Sequence, residues 1–227
     1  MKNVFASLAT LSLSAAALAT PVQFVESLNG LDLSGNINAP TNLGVFSAGN
    51  NIVGGSVINA LAVSTLPAAD VDIFTFTIQA GFQLSGLIQL SFDGGTDPAP
   101  QQNFIALVAG STFPFTPQQL SGTAPGLDTS VFLGALLGGD VDGGGNSNNF
   151  NQDLLPLFQT GANLGGVPIG GFSGPLQAGT YTFYNQQLGG GLFNYRYAFV
   201  VTEVPTPAAA GVLALGGLVA GRRRRTA

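Results

Sequence analysis

The chain has 227 residues, only 7% of them charged, with 33 glycines, 17 phenylalanines and no histidine, cysteine or tryptophan. Those absences exclude Ser-His-Asp and Cys-His nucleophiles, thiolate chemistry, an ordinary zinc site and disulfide staples. Of the six basic residues, Lys2 stands at one end, Arg222, Arg223, Arg224 and Arg225 at the other, and Arg196 alone between them, so eleven acids leave the body at about −10, a charge that repels nucleic-acid phosphates and argues against a nucleic-acid partner.

Taken in chain order, residues 1–19 have the layout of a secretory signal peptide. Lys2 supplies a basic start, a short apolar helix-forming stretch begins at Phe5, and Ala17-Leu18-Ala19 places small residues at the cleavage positions, with the cut expected after Ala19. Lys2 is the only lysine and lies in the segment to be removed, which also excludes Schiff-base and Ser-Lys mechanisms in the mature protein.

Residues 20–203 are expected to form one domain. Without disulfides it must be held by its own core, and its richness in Gly and Phe with few Lys, Glu or Arg favours short strands joined by turns. Strands are expected at 51–63, 72–78, 82–92, 104–108, 130–137 and 180–184, with a last one through Tyr195 and Val201. Turn material such as Asp93-Gly94-Gly95 and Gly138-Gly139 separates them. Phe74, Phe76 and Ile78 alternate with Thr75 and Thr77, and Tyr195, Tyr197, Phe199 and Val201 alternate with Asn194, Arg196 and Ala198. The fold class is therefore all-β, an antiparallel, jelly-roll-like β-sandwich, flanked by an N-terminal signal helix and a C-terminal transmembrane helix.

Three groups of side chains are candidates for chemistry. Asp70 and Asp72 precede the first alternating strand; they are expected at the rim of the sheet, with a shared cation as the alternative. Asp140, Asp142, Asn146, Asn148 and Asp153 surround a glycine loop and could offer oxygen ligands to calcium. Asn151 stands where an EF-hand needs its bidentate glutamate, so a solvated loop is the leading reading and no cofactor is required. A carboxylate pair could support a secreted glycan hydrolase, but the acids lie mainly in loops and at strand ends, so a noncatalytic protein is expected. Sugar binding by stacking would need exposed aromatics; Tyr195 and Tyr197 share the face of Phe199 and are expected in the core.

The chain ends with Val204-Pro205-Thr206-Pro207, an uncharged run over 208–221, and the four arginines 222–225. This three-part order over 204–227 resembles a PEP-CTERM sorting signal, with Thr206 in place of the glutamate usual between the prolines. The resemblance implies export, transient retention in the inner membrane, processing by an exosortase-type enzyme, and release to the cell surface or an exopolysaccharide matrix. The expected role is a noncatalytic surface or matrix component that could bind polysaccharide, with a glycan hydrolase or a self-associating structural surface protein as the alternatives. The run at 208–221 is short against the roughly 20 residues that span a bilayer comfortably, which suits a transient anchor, and the arginines would stay on the cytoplasmic side. In the body, Asp70-Val71-Asp72-Ile73-Phe74-Thr75-Phe76-Thr77 with Ala80-Gly81, and Leu176-Gln177-Ala178-Gly179-Thr180-Tyr181-Thr182-Phe183, are similar to the two ends of bacterial pre-peptidase C-terminal domains. That similarity implies a secreted, noncatalytic accessory sandwich, in some cases with calcium.

Overall fold

The structure is a computed structural model that describes residues 19–58, 70–93, 103–121, 128–138, 141–142, 146–147, 151–159, 163–164, 167–168, 172–187 and 192–205. The expected signal helix and the run at 208–221 lie outside the described residues; among those described, no helix is long and apolar enough to cross a membrane.

Strand β1 (Gln23–Val25) runs into a single helical turn, α1 (Glu26–Asn29), which closes on Gly30 at φ 64°. Glycine suits this left-handed position because it carries no Cβ. Then follow β2 (Thr41–Phe46), β3 (Gly49–Ile58), β4 (Val71–Ile78), β5 (Phe82–Asp93), β6 (Asn103–Ala109), α2 (Pro117–Ser121), a 3-10 turn at Thr129–Val131 and β7 (Phe132–Gly138). Two-residue strands β8 (Val141–Asp142) and β9 (Asn146–Ser147), helix α3 (Leu155–Gln159), and the short pair β10 (Asn163–Leu164) and β11 (Val167–Pro168) lead to β12 (Gly179–Gln187) and β13 (Leu192–Glu203).

Two main sheets result, in the orders β1-β3-β13-β5 and β2-β4-β12-β6-β7. Their central pairings are antiparallel, as alternation and short turns favour, but β1 pairs with β3, and β2 with β4, in parallel. The sheets are therefore mixed, a correction to the purely antiparallel expectation. The cause is the path of the chain: after β1 it crosses to the other sheet as β2 and returns as β3, so each outer strand is laid down in the direction of its neighbour.

The two sheets share one core. From one come Val53, Val57, Leu84, Leu87, Tyr195, Tyr197, Phe199 and Val201, and from the other Phe74, Phe76, Ile78, Ile105, Leu107, Tyr181 and Phe183. Phe199 reaches across the interface to lie edge-on to Phe74 at 5.7 Å and to Phe183 at 5.4 Å, while Phe46 stacks on Phe76 at 4.5 Å. Each buried ring contributes roughly 1.5–3 kcal/mol, and each well-oriented ring pair about 0.5–1.5 kcal/mol more. Tyr195 and Tyr197 are in this core, as their alternation with Arg196 requires.

The outer face of the five-stranded sheet is covered as well. Phe113, Phe115 and Leu120, from the segment after β6, pack on Val71, Ile73, Phe104, Phe132 and Tyr184; Phe113 stacks on Tyr184 at 4.3 Å. This is why Val71 and Ile73, on the outer face of β4, are apolar and buried.

Candidate functional site

Inward-facing positions of β4 run Asp72, Phe74, Phe76, Ile78, so the period that buries the two rings also turns Asp72 inward. Asp72 is 0% exposed, which overturns the rim position expected for it. Alternation fixes the face of a residue but not its depth along the strand, and α1 with β3 closes this end of the sandwich. Tyr195, facing it from β13, donates its hydroxyl to Asp72 Oδ2 at 2.7 Å, whereas Asp72 Oδ1 has no hydrogen-bond partner among the described residues.

Glu26, the first residue of α1, reaches the same place. Its Oε1 accepts the N–H of Leu33 at 2.6 Å and its Oε2 the N–H of Ser56 at 2.8 Å, stapling the N-terminal hook to β3. Between the two carboxylates lies Gly55, where a Cβ would stand 2.6 Å from Asp72 Oδ2, 2.8 Å from Glu26 Oε2 and 2.8 Å from the Tyr195 hydroxyl. Any side chain there would force the carboxylates apart. Asp32, exposed on the loop after α1, completes the group: one oxygen each from Glu26, Asp32 and Asp72 lie within 4.8 Å of one another.

Among the described residues no positive side chain balances these acids. Arg196 is the only basic residue among the described ones, and it projects from the exposed face of β13, opposite Tyr195. Burial, and then the charge of Glu26, push the Asp72 carboxyl well above its ordinary range against the hydrogen bond from Tyr195. Glu26 is raised by burial, with Leu33 and Ser56 pulling it down and Asp32 pushing it up. Asp70, at the start of the same strand, is raised to about 6 by burial and by Asp32. Beside this group, Asn185 lies opposite Asp72 on β12, and Asn103 Nδ2 donates to Asn185 Oδ1 at 2.7 Å and to the Tyr197 hydroxyl at 3.1 Å. One end of the core is thus polar and acidic.

The sequence signal for this site is partial. Asp72 stands out beside Asp70, but Glu26 and Asp32 carry no motif and meet Asp72 only because β1 and α1 fold over β3. Of the glycine-loop candidates, Asp140 and Asn148 lie outside the described residues. Asp142 and Asn146 face each other as a backbone pair of β8 and β9. Asp153 Oδ1 accepts the N–H groups of Leu87 at 2.8 Å and Leu155 at 3.0 Å, pinning the start of α3 to β5. In the segment expected to be a sorting motif, the Val204 N–H bonds Gly81 O at 2.8 Å and Pro205 is the last described residue; Thr206, Pro207 and Arg222, Arg223, Arg224 and Arg225 lie outside the described residues. Compared with known proteins, the chain matches no family model, no curated protein and no solved structure.

Proposed function

We propose that this chain is an exported, noncatalytic surface or matrix protein with a jelly-roll-like sandwich, delivered through a C-terminal sorting signal read by an exosortase-type enzyme. The observation that carries the reading is the junction at its end. Strand β13 stops at Glu203, Val204 is clipped to Gly81, and Pro205 opens the proline-marked segment that leads to the uncharged run and the arginines. A processing enzyme would therefore meet its motif where the last strand ends, and the inner membrane would hold the protein only until the cut.

Two further observations favour a noncatalytic role over glycan hydrolysis. In the acidic group Asp72 is fully buried and Glu26 nearly so, and the three oxygens lie within 4.8 Å of one another, closer than the roughly 5–10 Å separations that glycoside hydrolysis uses. All four tyrosines are buried and the chain has no tryptophan, so association with an exopolysaccharide would run through polar contacts rather than tyrosine stacking. Mass spectrometry of the extracellular protein tests the route: the expected product lacks the arginines 222–225, and recovery of intact Arg225 outside the cell overturns it.

A further inference from the structure

We propose that Glu26, Asp32 and Asp72 form a calcium site that locks the N-terminal hook onto the sandwich. Three carboxylate oxygens within 4.8 Å of one another share a centre no more than about 2.8 Å from each, so side-chain shifts of a few tenths of an ångström bring all three to the 2.3–2.6 Å typical of calcium–oxygen contacts. The second, independent observation is Asp72 itself, a fully buried carboxylate whose Oδ1 has no partner among the described residues while Tyr195 occupies Oδ2. A buried acceptor oxygen with no donor is costly, and a cation satisfies it where no protein group does.

The surroundings are arranged for a ligand set rather than for an ion pair. Gly55 leaves Asp72 and Glu26 converging with no side chain between them. The backbone N–H groups of Leu33 and Ser56, with the Ser56 hydroxyl at 3.5 Å, fix the Glu26 carboxylate, as outer contacts fix a metal ligand. All donors are hard oxygens, and exposed Asp32 opens the site to the waters that complete six to eight ligands. Magnesium demands a tighter octahedron and sheds water reluctantly, so calcium fits better. An affinity in the range of extracellular modules, roughly 10⁻⁴–10⁻³ M, is expected.

The test uses the purified full-length chain stripped with a chelator. Calcium at 10 mM should raise the melting temperature by on the order of 5 °C and magnesium should do much less. Terbium should give tyrosine-sensitised emission, with Tyr195 beside Asp72 as donor and no tryptophan to compete. Asp32→Asn, at an exposed position, should fold normally and lose about tenfold in calcium affinity. Asp72→Asn should abolish the melting shift, while Asp142→Asn in the glycine loop should leave it intact. Absence of both the calcium shift and terbium emission overturns the proposal, because protons alone then neutralise the acids. A shift that survives Asp32→Asn and Asp72→Asn but disappears in Asp142→Asn overturns it equally and places the ion in the loop.

Discussion

The inner face of β4 is two environments on one strand. Phe74 and Phe76 both meet Phe199 from the opposite sheet and Ile78 joins the same core, whereas two residues before Phe74, Asp72 meets Glu26, Tyr195 and a neighbouring asparagine. The apolar stretch stabilises the fold by area and ring geometry and tolerates no loss of volume. The acidic end contributes little on its own and is costly as long as its charges stand uncompensated. One region makes the sandwich stable, and the other leaves it responsive to what is in solution.

The largest effect should come from the aromatic side. Phe199→Ala removes the ring shared by Phe46, Phe74, Phe76 and Phe183 and should cost about 3–5 kcal/mol in denaturant unfolding. A loss below 1 kcal/mol would erase the contrast. The opposite sign is expected at the acidic end: in chelator at pH 7.5, Asp72→Asn should stabilise the protein by on the order of 1–3 kcal/mol, since it removes a buried charge and keeps an oxygen for Tyr195. Destabilisation there would mean that the carboxylate is already compensated.

Acidity separates the regions further. Asp72, Glu26 and Asp70 are raised in the folded state, with Asp32 and Tyr195 facing them, so the folded chain binds more protons than the unfolded chain above their ordinary range. Metal-free stability from these groups is full below about pH 4 and falls as pH rises, Asp70's share fading between 3.8 and about 6. Melting temperature against pH should show this fall, flattened in Asp72→Asn and unchanged in slope in Phe199→Ala. The smallest effect belongs to Asp32→Asn, which lies in solvent and should alter metal-free stability by less than about 0.5 kcal/mol.

The apolar region was far more legible in the sequence than the acidic one. Alternation at Phe74, Phe76 and Ile78 and at Tyr195 through Val201 announces its own strands, because period 2 is a local signal, and these strands appear at Val71–Ile78 and Leu192–Glu203. The edge strands β1 and β2 escaped that reading. β1 is only three residues long, and β2 carries Gly44 at φ 77° with a register shift against β4 between Asn42 and Val45. The cover from Phe113 to Leu120 escaped it too, since an aromatic in a loop does not say which face it will shield. At the site, Asp72 was visible but misplaced, and its partners Glu26 and Asp32 depend on long-range closure of the N-terminal hook.

The position of the last strand has a kinetic consequence. β13 lies between β3 and β5, and β12 between β4 and β6, so the centre of each main sheet comes from the C-terminal end of the described body. Until those residues arrive, β3 and β5 have no strand between them to pair with, and neither do β4 and β6. Such high contact order makes for slow folding, and a chain emerging from its N-terminus stays loose until nearly all of it is present. Were the chain exported, as proposed above, that delay would be useful, because a polypeptide that cannot complete its sheets early remains threadable while it crosses.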